Sequence, residues 1–207
     1  MNQPSLPPAF LEKVARTAAD RAAGWEALAD VLSPPDVALV ERLRSGALVE
    51  TWRQGSSWLG DDTHVQTAEL MSLDVFARGA ARRDPRDDLA DLLAGFEALV
   101  APHADLVPPV RELAGLCRDE AAAWADGDPT RAKALRAGQQ EFITECLVPG
   151  LPELAGRLAR EAEANIWRLL GRLTLAILAA DTGKDFQRAV LGEDLGRRRR
   201  GARDLDR

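Results

Sequence analysis

Two histidines and two cysteines are the side chains best suited to chemistry in this sequence, together with two pairs of adjacent aspartates. His64 lies in the polar stretch DDTHVQ and His103 in APHAD. Neither has a His or Cys partner at metal-ligand spacing, so each reads as a solvated loop residue. Cys117 and Cys146 form no Cys-x-x-Cys pair, which argues against a zinc or redox motif. Such sparse thiols suit a reducing compartment. Asp61-Asp62 and Asp87-Asp88 are neighbours in sequence, and neighbours do not share a helix face. They read as charges that complement a helix N-terminus. The glycines are too scattered for a phosphate loop. There is no Ser, His and Asp set in a catalytic motif, and no Glu-x-x-His pair of the carboxylate-bridged metal bundles. An enzyme reading has little to stand on among these residues.

The elements that must position any site are helical. Leu11, Val14, Ala18, Ala22, Trp25, Leu28 and Leu32 recur at three- and four-residue steps. Ser33-Pro34-Pro35-Asp36 ends that helix and starts a short one marked by Val37, Val40 and Leu43, which stops near Ser45-Gly46. A third begins at Leu48. After the polar break QGSSWLGDDTH, helical spacing resumes over 65–78. Asp84-Pro85 is a helix start, as is the proline of Gly127-Asp128-Pro129. Residues 110–125 form another apolar stripe, and the helix after Pro129 carries Ala132, Leu135, Gln139, Phe142, Ile143 and Leu147. Pro149-Gly150-Leu151-Pro152 makes a stiff corner, and Ile166 to Leu178 form the last strong stripe. APHADLVPP, 101–109, is the least helical stretch in the middle of the chain. With no alternating run long enough for a strand, the expected fold is an all-α, single-domain bundle of roughly nine or ten helices of ordinary length.

Composition adds limits. The chain has 207 residues, enough to bury a core without disulfides. Its net charge of -6 is unevenly spread: the Arg-rich end, 196–207, carries +4 and the rest -10. The end reads as a disordered tail on a domain spanning 1–195. An acidic body repels phosphate backbones and attracts basic peptides. The N-terminus lacks the features of a secretory signal. The segment 166–180 is too short and too charged to span a bilayer. A soluble, cytoplasmic protein is expected. Of five tryptophans, Trp25, Trp124 and Trp167 fall on apolar stripes and belong to the core. Trp58, in SSWLG, could fold back onto the core or anchor a peptide from the surface.

The order of these features resembles the TorD/DmsD/NarJ-type chaperones, which mature molybdoenzymes of the dimethyl sulfoxide reductase family. Glu112-Leu113 leads a helix ending in EAAAWADGD, and the next closes with Gln140 and Phe142. LVPGLPELAGRL resembles the family's proline-containing break. Residues 166–181 resemble its final long helix, which ends in an aspartate. WEALADVLSPPDVALVERLRSGALVETWR resembles its first two helices. In FEALVAPHADLVPP, Ala101-Pro102 stands for a Gly-Pro and Pro108-Pro109 for a Pro-Pro turn. The family's Asp-His pair ahead of the Glu-Leu helix is not matched. Val107 and Pro108 stand near its place, while His103 and Asp105 have the wrong order and spacing. That departure is in keeping with the branch serving dimethyl sulfide, ethylbenzene, chlorate or selenate-type enzymes.

The resemblance implies a partner: the catalytic subunit of a molybdoenzyme, often carrying a twin-arginine signal peptide. It implies no tightly bound cofactor, since the molybdopterin cofactor enters through the client. It also implies a monomer or homodimer that binds no nucleic acid and does not insert stably into a membrane. A signal peptide is basic, then apolar, so its binder needs acids beside an apolar groove. The candidate lining is Trp58, Leu106, Val107, Pro108 and Pro109, and the candidate acids are Glu112, Asp119 and Glu120. Glu112 and Asp119 are two turns apart on one face, with Glu120 beside it. A solvated helix surface is the plainer reading of those acids. The rival class is an all-helical transcriptional regulator. Residues 1–50 oppose it, holding five basic and seven acidic side chains where phosphate binding needs positive charge.

Overall fold

The computed structural model describes residues 6–55, 78–79 and 82–182. Trp58, His64, Asp61-Asp62, most of the helical spacing over 65–78 and the Arg-rich end lie outside the described residues. Within them the chain is all-helical. The α-helices are α1 (Pro8–Val31), α2 (Val37–Arg44), α3 (Ala47–Gly55), α4 (Pro85–Gly95), α5 (Val107–Ala125), α6 (Pro129–Phe142), α7 (Leu151–Glu161) and α8 (Asn165–Thr182). No described helix is long and apolar enough to cross a membrane. The described helices stop short of the expected nine or ten.

Local chemistry accounts for the helix starts. The Asp36 carboxylate accepts a hydrogen bond from the Leu39 amide at 2.7 Å. Asp84 accepts from Arg86 at 2.9 Å and Asp128 from Arg131 at 3.0 Å. Each satisfies an amide that the first helical turn leaves without a partner. Gly46 and Gly127 take positive φ, 78° and 71°, in the turns before α3 and α6. A Cβ would resist that backbone.

The stretch APHADLVPP is more helical than its composition suggests. Phe96–Val100 forms a π-turn, Ala101–Leu106 a 3-10 helix, and Val107 opens α5 directly. Pro102, Pro108 and Pro109 all fall in first turns, where a missing N–H costs nothing. A second π-turn, Ile143–Leu147, runs into the Pro149–Pro152 corner. Pro152 lies in the first turn of α7. Leu106 packs onto this corner, and a Cβ placed on Gly150 would come within 3.1 Å of its Cδ2. The corner therefore seats the 3-10 segment as well as turning the chain towards α7.

One large core joins α1 to α3 with the later helices. Trp25, Trp52 and Trp167 are among its largest fully buried side chains. A smaller cluster of Ala123, Trp124 and Ala132 is covered by Leu6, Leu11, Val14, Ala15 and Leu135. Phe10 meets Trp124 edge-on, with ring centroids 6.4 Å apart. Two glycines set the closest helix approaches. A Cβ on Gly95 would fall 2.2 Å from the Trp167 ring. The Trp167 indole N–H donates to the Leu92 carbonyl at 3.2 Å. A Cβ on Gly171 would lie 2.5 Å from the Ala155 carbonyl oxygen and 2.7 Å from the Ala159 nitrogen, so α7 and α8 meet backbone to backbone.

Backbone cannot yield as a flexible side chain can. Gly171→Ala should therefore lower stability by about 1–3 kcal/mol, the usual range for overpacking. Urea unfolding followed by circular dichroism checks this. An unchanged midpoint would mean that the two helices have room to separate.

Candidate functional site

The structure separates the expected site residues it describes into three groups. Pro108, Glu112 and Asp119 are exposed. At about 100° per residue they fall on one solvent-facing stripe of α5, with Gly115 and Ala122 between and beyond them. Val107 and Pro109 are half-buried, and Val107 packs against the main core. Two other candidates do not reach the surface. Leu106 is 7 % exposed, held by the core and the corner. Glu120 is 6 % exposed, on the inner side of α5. One residue past Asp119 turns the side chain by about 100°, from solvent into the bundle. The structure thus makes a stripe of apolar and acidic side chains, without the combined groove that the sequence reading assembled.

The basic residues of the same helix border one edge of the stripe, and the Arg118 guanidinium lies 3.8 Å from where a Cβ on Gly115 would stand, but both reach across to acids of α1. Arg118 pairs with Glu26 on α1. Arg111 lies 3.7 Å from Asp30, also on α1, and 3.4 Å from the Ser33 hydroxyl. Among the described residues Glu112 and Asp119 make no ion pair, so the stripe keeps its negative charge. His103 is half-buried, with Nε2 3.3 Å from the Arg157 guanidinium, and is not the freely solvated side chain expected.

Beneath the stripe lies a charge cluster that sequence reasoning missed. Arg21 of α1 is 4 % exposed. Its Nε donates to Asp181 Oδ1 at 3.1 Å and its Nη1 to Glu120 Oε2 at 2.9 Å. Its Nη2 donates to Gln139 Oε1 at 2.5 Å. The Trp25 indole donates to Asp181 Oδ2 at 2.8 Å, and Trp124 to Glu120 Oε1 at 3.2 Å. Gln139 Nε2 donates to both Glu120 Oε2 and the Leu116 carbonyl, each at 3.0 Å. Arg136 closes the outer side, 2.7 Å from Asp181 Oδ1. One cluster therefore ties α1, α5, α6 and α8, with two guanidinium groups balanced by two carboxylates.

Burial works against the Arg21 charge, but the carboxylates of Asp181 and Glu120 outweigh it and hold the group above its ordinary value. Burial also pushes the Asp181 carboxyl up, against the pull of Arg21 and the Trp25 indole. The Cys117 thiol, 3.6 Å from Gln139 Oε1, is pushed up to about 12 by burial, with Arg21 opposing. It stays a thiol, and a thiol is a poor nucleophile. The cluster's carboxylates are already engaged by several donors, and its sulfur is inert. Its role is to fix the helix that carries the stripe. Among the described residues no group of three or more His, Cys, Asp or Glu is placed to hold a metal.

Comparison with known proteins identifies no family: no family model matches the chain, and no curated protein or solved structure is significantly similar to it.

Three outcomes follow from the cluster. Arg21→Met should cost about 3–5 kcal/mol in urea unfolding, because buried Glu120 loses its cation and Asp181 keeps only Arg136. The folded chain keeps the Asp181 proton to higher pH than the unfolded chain, so this group's contribution is fully present below the unfolded value of about 3.9 and is lost as pH rises through the folded one. The stability of the wild type relative to Asp181→Asn should therefore grow as pH falls from 7 towards 4. A gap that shrinks on acidification would contradict the burial argument. In a disulfide-exchange assay of the native protein, exposed Cys146 should react promptly and buried Cys117 only on unfolding.

Proposed function

We propose that the protein is a cytoplasmic maturation chaperone of the TorD/DmsD/NarJ kind. It binds the immature catalytic subunit of a dimethyl sulfoxide reductase-family molybdoenzyme, often through a twin-arginine signal peptide. The mechanism is retention, not turnover. The chaperone holds the subunit while the molybdopterin cofactor is inserted, keeps its signal from premature export, and then lets go.

The observation that carries this reading is the α5 stripe: Glu112 one turn from Pro108 and Asp119 two turns further on, neither ion-paired among the described residues, on a helix braced from behind by buried charge. Acids next to apolar side chains suit a ligand that is basic and then apolar. Val107 and Pro109 flank the stripe. Glu120 acts behind it by orienting α5, and Leu106 by seating the first turn on the corner. The helical order, with its proline-containing break between α6 and α7, also supports the reading.

A tagged pull-down from the native host, grown anaerobically with candidate electron acceptors or donors, tests it. One large molybdoenzyme subunit should co-purify, with its signal peptide intact when it has one. Recovery of DNA, or of nothing from cells that make such an enzyme, would overturn the reading. Glu112→Lys with Asp119→Lys should weaken client binding about tenfold, as two exposed charge pairs of about 0.5–1 kcal/mol each imply. The unfolding midpoint should stay unchanged, since both positions are solvent-facing.

A further inference from the structure

A second place in the fold has the properties of a binding site and lies apart from the α5 stripe. The N-terminus of α4 and the start of α8 enclose a cavity of about 180 Å³, lined by Arg83, Asp88, Asp91, Ala164, Asn165 and Ile166. Asp88 is 3 % exposed. Its Oδ2 takes a hydrogen bond from Arg44 at 2.5 Å. Its Oδ1 is buried with no hydrogen-bond donor. A carboxylate oxygen left so is costly and calls for a donor.

The nearest cation shows which kind of donor fits. Arg83 places Nη1 3.4 Å from Asp88 Oδ1, an ion pair without a hydrogen bond, while its Nη2 reaches Asp91 at 2.8 Å. One guanidinium thus spans the two carboxylates without satisfying the inner one. The Arg83 side chain is 47 % exposed, so it leaves its place at small cost. Its backbone carbonyl is held by Arg44 at 3.0 Å, which anchors the main chain while the side chain swings. Ala164 and Ile166 supply apolar wall for a stem, and Asn165 a further polar group.

We propose that this cavity binds the cationic end of an alkylguanidinium or alkylammonium ligand, with Asp88 and Asp91 as acceptors and Arg83 as a displaceable plug. The ligand's head donates to Asp88 Oδ1, the contact that Arg83 does not complete. Its alkyl stem lies along Ile166. The proposal is independent of the client reading and survives or fails without it.

The test titrates the isotope-labelled full chain with butylguanidinium and, separately, with butanol, following backbone amide shifts by NMR. Butylguanidinium should shift the Asp88, Asn165 and Ile166 amides saturably, and butanol at the same concentration should not. Removing the plug with Arg83→Ala should tighten binding about fivefold, since the ligand no longer competes with an internal cation. Asp91→Asn should weaken it, and Asp88→Asn should abolish it. Because Asp88→Asn also disturbs Arg44, the Arg83 and Asp91 variants carry the decision. No saturable shift even in Arg83→Ala would mean that the cavity holds water only. Equal shifts from butanol would mean a merely apolar hollow. Either result overturns the proposal.

Discussion

A guanidinium cannot be buried alone. Arg21 is enclosed by the bundle, and every helix around it contributes something to hold its charge: Glu120 from α5, Gln139 from α6 and Asp181 from α8. An isolated charge in a low-dielectric interior costs many times what a folded domain has in hand. The helices therefore cannot slide or rotate independently, since a shift of one would separate opposite charges in a medium that screens them poorly. Dispersion and apolar burial drive the bundle together. The charge cluster selects one arrangement among the many that a stack of leucine-rich helices would accept.

Glycine contacts impose a second constraint of a different kind. Gly171 brings α8 against the α7 backbone, and Gly95 makes room for the Trp167 ring. These are steric limits on distance, whereas the cluster is an electrostatic limit on rotation. The cluster, through the contacts of Glu120 with Arg21 and Gln139, fixes the rotation at which α5 presents Glu112 and Asp119 to solvent. The exposed acidic stripe rests on a helix whose inner side is held by the buried cluster.

Much of the fold could be read from the chain. The breaks at Pro34-Pro35, Asp84-Pro85, Gly127-Asp128-Pro129 and Pro149–Pro152 mark element ends because proline and capping aspartate act locally. Trp25, Trp124 and Trp167 are buried as expected, because each continues the helical period of an apolar stripe. What could not be read depends on distant partners. Arg21 interrupts an apolar stripe between Ala18 and Trp25, and Gln139 sits on another. Both are visible anomalies, but nothing local shows that they meet. Asp119 and Glu120 look alike as letters, and only the phase of α5 sends one outward and one inward. Asp88 could be placed in a first turn, but not seen to be buried. The stretch 101–109 reads as the least helical because three prolines suggest a break, whereas each falls in the first turn of a helix.

The span of the Arg21 to Asp181 contact, 160 residues, bears on how the chain is made. During synthesis α1 leaves the ribosome long before α8 exists. Arg21 must then remain hydrated, or rest on Glu120 once α5 has emerged, until nearly all of the described chain is available. The bundle cannot close its centre progressively from the N-terminus, and its last large gain in stability arrives with the last described helix. Any shortened product that ends before residue 181 would carry a buried-type cation with half its counter-charge missing. Such a product would lack the carboxylate that ties α8 to α1.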